Sequence, residues 1–213
     1  MLEVKNDIEI FNDGKPTSMF IGGSSKAGKS VLELYIYNKY YNNSDWINVL
    51  FTYSEQNKIY TRNNNLMIRC EYSNKDSAMI EAAKYINVHT NNKYNFMFMF
   101  DDCIDIKYSQ MVNRLVCVYR NSGISSIISC QYIKMLSKAN RANVNSIALF
   151  RFNEDEVVED VIRMYLKSYF IKILGRGTKM DDMVEYYKIS TLDHQFFYLV
   201  PSLQSLTLHK LKI

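Results

Sequence analysis

The chain has 213 residues, 47% of them hydrophobic and 23% charged, which is enough apolar content to bury a core and excludes an intrinsically disordered protein. Its 26 Lys and Arg against 22 Asp and Glu give +4, a mildly basic balance that admits a nucleic-acid partner without requiring one. Four cysteines (Cys70, Cys103, Cys117, Cys130) without C-x-x-C spacing argue against a zinc site or a disulfide frame. They read as reduced, buried thiols of an intracellular protein. The N-terminus lacks the basic-then-apolar order of a signal peptide, and no apolar run approaches the length of a membrane span. Pro16 and Pro201 are the only prolines and no Gly-Ser run divides the chain, so 1–213 reads as a single domain. Its core covers about 18–175, with a C-terminal extension over about 176–213.

In chain order, "SMFIG" (18–22) predicts a strand that runs into "GGSSKAGKS". The segment 30–41 then has apolar residues at helical spacing. Strands are expected at 47–53 and 66–72, and a helix at 76–89 with Met79, Ala82, Ala83 and Ile86 on one face. "FMFMF" (96–100) predicts a strand buried on both faces, followed by a helix over 108–121. Strands at 124–130 and 146–152 precede a long helix over 154–174 that ends at Gly175. A shorter helix near 180–188 and a strand at 195–200 follow, and the tail 202–213 fits an edge strand or an arm. Alternating βα units of this kind predict an α/β fold with a largely parallel sheet covered by helices on both faces.

Three of only seven glycines fall within Phe20–Ser30. Gly23, Gly28, Lys29 and Ser30 fit G-x-x-x-x-G-K-[ST], the phosphate-binding loop, between a strand pattern and a helix pattern. Glycines let successive N–H groups turn toward one anion, and the helix that follows adds the positive end of its dipole. The expected nucleotide contacts are therefore Gly23, Ser24, Ser25, Lys26, Ala27, Gly28, Lys29 and Ser30. Lys29 would reach the β- and γ-phosphates, and Ser30 would complete a Mg²⁺ shell. Asp101 and Asp102 end the apolar strand, at the edge where ligands bind in parallel sheets. Asp101 is the expected Walker B ligand of Mg²⁺, and Asp102 the base that activates water. A water-activating carboxylate favours hydrolysis over phosphoryl transfer to a metabolite. The base-reading N-K-x-D of small GTPases is absent, because "NKDS" (74–77) places its aspartate one position early. His89, His194 and His209 are isolated and read as surface or packing residues rather than ligands.

After the predicted helix at 108–121 comes "YRNSGISSIISCQ", then "SKANRANVNSIALFR". With the first two motifs, this resembles the FtsK–HerA group of P-loop ATPases. It is most similar to the genome-packaging ATPases of large DNA viruses (poxvirus-type) and virophages, over roughly 18–165. The resemblance implies a RecA-like fold of the additional-strand type with core sheet order 5-1-4-3-2. It also implies an ATP- and Mg²⁺-dependent translocase that packages a viral genome, with Gln131 sensing the γ-phosphate and Arg120 as an arginine finger supplied to a neighbouring subunit. Arg141 and Arg151 are lesser candidates for that finger. Double-stranded DNA bound without sequence preference, a pentameric or hexameric ring and a capsid protein are the implied partners. The implied setting is the host cytoplasm at the site of virus assembly, or the virion. Here "SKANRAN" is expected as a loop. Candidate DNA contacts lie in 54–65 (Lys58, Arg62) and 132–143 (Lys134, Lys138, Arg141), where basic side chains would neutralise phosphates.

Overall fold

The structure, a computed structural model, describes residues 2–9, 16–41, 45–52, 74–91, 93–101, 114–117, 119–131, 134 and 137–211. Eight strands form one sheet in the order β1-β8-β7-β6-β2-β5-β4-β3. In chain order they are β1 (Val4–Lys5), β2 (Ser18–Gly22), β3 (Trp46–Thr52), β4 (Asn95–Asp101), β5 (Ile124–Cys130), β6 (Ser146–Leu149), β7 (Gln195–Val200) and β8 (Ser205–Lys210). The five strands β2 to β6 are mutually parallel. Counted from β2, they lie in the order fifth, first, fourth, third, second. β7 and β8 turn antiparallel and widen the sheet beyond β6, and β1 pairs parallel to β8 at the edge. Two strands of the extension beyond residue 175, β7 and β8, are thus bonded into the same sheet as the phosphate loop.

Alternation along the strands splits the core into two layers. Phe96, Phe98 and Phe100 of β4, Phe20 of β2 and Phe197 of β7 face one side. That layer also holds Ile80 and Ala83 of the helix Asn74–His89 and side chains of α4 (Asp155–Val161), its continuation through a π turn (Ile162–Leu166), α5 (Lys167–Leu174) and α6 (Met180–Ser190), where Phe197 meets the rings of Phe170 and Tyr187. Met97, Met99, Met19 and Ile21 face the other side, under Leu32 and Ile36 of α1 (Lys29–Ile36) and Tyr37 and Tyr41 of the π turn that extends it. A strand covered on both faces needs the continuous apolar run that "FMFMF" supplies.

Three expectations change. In α2 (Asn74–His89) the residues turned inward are Ile80, Ala83 and Asn87, while Ile86 is 41% exposed. Asn87 takes the inner place because its Nδ2 donates to the carbonyls of Tyr94 (2.8 Å) and Ser122 (2.7 Å), acceptors near the starts of β4 and β5. "SKANRAN" is a short helix, α3 (Lys138–Asn143), rather than a loop. Ser137 caps it by accepting from the Asn140 backbone N–H, the interaction that makes serine a good N-cap. Cys117 is exposed, whereas Cys130 is buried. Cys70, Cys103, the expected strand at 66–72 and most of the helix expected at 108–121 lie outside the described residues, which show one helical turn over 114–117 and a 3₁₀ turn Tyr119–Ser122. Among the described residues no helix is long and apolar enough to cross a membrane.

Candidate functional site

The loop between β2 and α1 sits at the carboxyl ends of the central strands. The Gly23 N–H donates to the Cys130 carbonyl of β5 (3.3 Å), and the Ser24 N–H to the Arg151 carbonyl just after β6 (2.9 Å). Both neighbouring strands therefore anchor the loop. Lys26 (φ 62°) and Gly28 (φ 114°) adopt left-handed backbone, a change of hand that curls a loop around an anion. The two glycines also meet a spatial demand. A Cβ on Gly23 would lie 2.7 Å from Phe150 Cβ, and one on Gly28 would lie 3.0 Å from the Phe150 ring. Phe150, buried after β6, is thus the floor on which the loop rests.

Lys29 opens α1 and is buried, and its Nζ donates to the carbonyls of Gly23 (2.9 Å) and Ser24 (3.1 Å). The ammonium is held across the loop. No side chain caps α1, so its first N–H groups and its dipole face the same space. Ser30 Oγ stands 3.4 Å from Asp101 Oδ1, and Ser129 Oγ of β5 stands 3.5 Å from the same oxygen. A hydroxyl and a carboxylate at that spacing suit Mg²⁺, whose octahedral oxygen ligands lie about 2.9 Å apart. Ser30 and Asp101 are the described residues here that could contribute to such a shell, and among the described residues no group of three or more His, Cys, Asp or Glu could hold a metal ion.

Glu33 was not foreseen. It lies one turn after Lys29, fully buried, with its carboxyl against Asp101 and Ser129. Burial first, and the Asp101 charge second, push its carboxyl well above the ordinary range near 4.5. The one readable signal was a carboxylate inside the apolar stripe of α1. The unfolded chain releases this proton near pH 4.5, while the folded chain holds it to higher pH. Glu33 therefore costs stability progressively as pH rises from about 4.5 toward the folded pKa. Glu33→Gln should gain stability over the native chain across that window and little at pH 4. Denaturant unfolding between pH 4 and 8 measures it, and a pH-independent difference would show that Glu33 is not held neutral.

The remaining predicted residues are spread out. Gln131 follows β5 directly and is exposed at the same sheet edge as the loop. Arg120 lies in the 3₁₀ turn before β5, at the opposite end of that strand. Arg151 lies beside its own loop, lining a recess with Ser24, Ser25, Lys26 and Asn153, a placement that suits contact within the subunit. Arg141 stacks its guanidinium 5.9 Å from the Tyr165 ring centre. Lys134 pairs with Asp160 (2.7 Å), and Lys138 is exposed at the first turn of α3. Asp102, Lys58 and Arg62 lie outside the described residues. His194, expected at the surface or in packing, is exposed but hydrogen-bonds the phosphate loop through Nδ1 and the Ala27 carbonyl (3.1 Å).

No protein-family profile matches the chain, and no curated protein matches it in sequence. Solved structures do share its fold. The genome packaging NTPase B204 from Sulfolobus turreted icosahedral virus 2, in complex with AMPPCP, matches with TM-score 0.64 at 12% identity, over 92% of this chain and 98% of that one. The DNA-packaging ATPase B204 from Sulfolobus turreted icosahedral virus matches with TM-score 0.63 at 14% identity, over 93% and 100%. EssC (ATPases 2 and 3) from Geobacillus thermodenitrificans matches with TM-score 0.53 at 12% identity, over 70% of this chain and 34% of that one. At such identities the likeness is one of fold, a mixed α/β fold around one largely parallel sheet.

Proposed function

We propose that this chain is an ATP-hydrolysing DNA translocase of the FtsK–HerA group that packages a viral genome into a preformed capsid as a homo-oligomeric ring. One observation carries the reading. Lys29, Ser30 and Asp101 converge at the carboxyl ends of the parallel strands. They do so in an architecture shared, over nearly the full length of both chains, with a genome packaging NTPase.

Residue roles follow from placement and chemistry. The loop from Gly23 to Ser30 would cradle the phosphates, with Lys29 on the β- and γ-groups. Ser30 and Asp101 would hold Mg²⁺, which supplies charge neutralisation on the phosphoryl oxygens. Asp102, the next residue after β4, would take the proton of the attacking water. Gln131, at the end of β5, would sense the γ-phosphate, and Arg120 would reach a neighbour's site.

Hydrolysis measured with and without double-stranded DNA over a salt series tests the reading, because a metabolite kinase or an assembly switch has no reason to respond to DNA. Turnover should rise with DNA of any sequence, and the rise should fade as salt is added. Turnover indifferent to DNA would overturn translocation. In the same series, Lys134→Gln with Lys138→Gln should flatten the slope of log K against log salt by about 1 to 2. The range reflects the Lys134–Asp160 pair, which a DNA phosphate would have to displace. An unchanged slope would exclude this patch.

A further inference from the structure

A second concavity adjoins the phosphate loop. Gly28, Ser30, Val31, Phe150, His194 and Leu211 line it, together with Lys26 and Lys29 of the phosphate loop. Its volume of 230 Å³ is below the ~300 Å³ at which whole-ligand sites begin, so it would hold part of a ligand rather than all of one. Val31, Phe150 and Leu211 give it apolar surface against which a flat ring could lie, while the two lysines face the phosphates' side of any nucleotide that the loop holds. Val31 is 39% exposed on the first turn of α1, and the Phe150 ring is buried and stacked on Phe196 with ring centres 4.6 Å apart. Gly28 and Ser30 belong to the phosphate loop itself, so whatever enters this cleft is continuous with a group bound there.

His194 is delivered to the cleft by an unusual turn. Asp193 (φ 52°) and His194 (φ 61°) are consecutive left-handed residues, a conformation uncommon for side chains other than glycine. The Gln195 N–H bonded to the Leu192 carbonyl (3.0 Å) closes the turn, and the ring is fixed by its Nδ1 contact with Ala27. A carbonyl oxygen only accepts, so Nδ1 donates in this contact and Nε2 is the ring atom left to accept from a ligand. The contact with Ala27 thus ties a possible acceptor to a residue that lines the cleft.

We propose that this cleft takes the base of the bound nucleoside triphosphate, and that His194 selects adenine over guanine. The inference rests on the nucleotide reading above and adds to it the base that the sequence leaves unread. Adenine presents an exocyclic amine, which donates, at the position where guanine presents a carbonyl oxygen, which accepts. Against a fixed acceptor, the amine gains a hydrogen bond while the carbonyl meets a lone pair. Val31, Phe150 and Leu211 would cover the ring without reading it.

Equilibrium titration of the whole chain with ATP, GTP and inorganic tripolyphosphate separates base from phosphates. The native chain should bind ATP about fivefold tighter than GTP or better, the worth of one net hydrogen bond. His194→Asn tolerates the left-handed backbone but withdraws the ring, so it should lose that preference and keep its tripolyphosphate affinity. Val31→Ala should weaken ATP and GTP together and leave tripolyphosphate unchanged. An ATP-to-GTP ratio near one in the native chain, or a ratio unaltered in His194→Asn, overturns the base assignment while the phosphate site stands. Failure of the native chain to bind any of the three overturns the nucleotide reading and the base site with it.

Discussion

Lys29→Ala should lower ATP turnover by at least about 10²–10³, the loss typical when a fixed donor to a transition-state anion is removed. The melting transition should stay near that of the native chain. The ammonium is the charge that the loop holds across its own carbonyls, and no other lysine or arginine bonds to that pair among the described residues. The fold should survive because the loop keeps its other anchors, the Gly23 bond to β5 and the Ser24 bond to Arg151. Phe150 still supports both glycines. Lys29→Arg should not restore activity. A planar guanidinium is bulkier than an ammonium and bonds as a fork, and the space between the Gly23 and Ser24 carbonyls is shaped for a point charge. Circular dichroism checks folding, nucleotide titration checks binding and phosphate release checks turnover. Native-rate hydrolysis by folded Lys29→Ala would remove the phosphate role of this loop.

Much of this site was legible because its signals are local. The spacing of Gly23, Gly28, Lys29 and Ser30 lies within eight residues, and the run that delivers Asp101 is apolar without interruption. The parallel strands β2, β4, β5 and β6 were legible for the same reason, since each is buried over nearly its whole length. What escaped depends on contacts distant in sequence. His194 meets Ala27 across 167 positions, and no periodicity in either segment encodes that meeting. Glu33 lies within the apolar stripe of α1, but that it is a buried acid beside Asp101 depends on the approach of β4 and β5. β1 is two residues long and exists through pairing with β8, too short for any pattern to register. β8 alternates weakly, and its pairing with β7 decides its state. α3 was missed although Ser137 is a readable cap, because six residues rich in Asn and Ala show no amphipathic stripe. The inward face of α2 does not follow its apolar spacing alone, since Ala83 turns inward and Ile86 does not. Buried carbonyls at the starts of β4 and β5 instead recruited Asn87.

Arg120 should act only across a subunit boundary, and its loss should lower turnover by about 10³–10⁵, the range for an arginine finger. The geometry makes this a sharp alternative. β5 runs parallel to β2, and its Cys130 end bonds the phosphate loop. The turn holding Arg120 precedes the other end of β5, so about 20 Å of strand separates it from the phosphates of its own subunit at ~3.3 Å per residue. No arginine side chain spans that distance, so Arg120 serves a neighbour or does not serve at all. A head-to-tail ring joins two different patches at each interface, so one subunit's loop can meet the patch of the next that holds Arg120. An isolated monomer should then bind ATP and turn it over very slowly, with turnover rising steeply with protein concentration. Arg120→Ala should bind ATP normally and be inactive, and Lys29→Ala should be inactive through its own site. Mixed in equal amounts, the two should regain activity at about one interface in four, where an intact loop meets an intact arginine. Rings of the mixture that stay as inactive as their parents would discard Arg120. Arg151 would not replace it, because it already lies beside its own loop, and the search would move to Arg141 on α3.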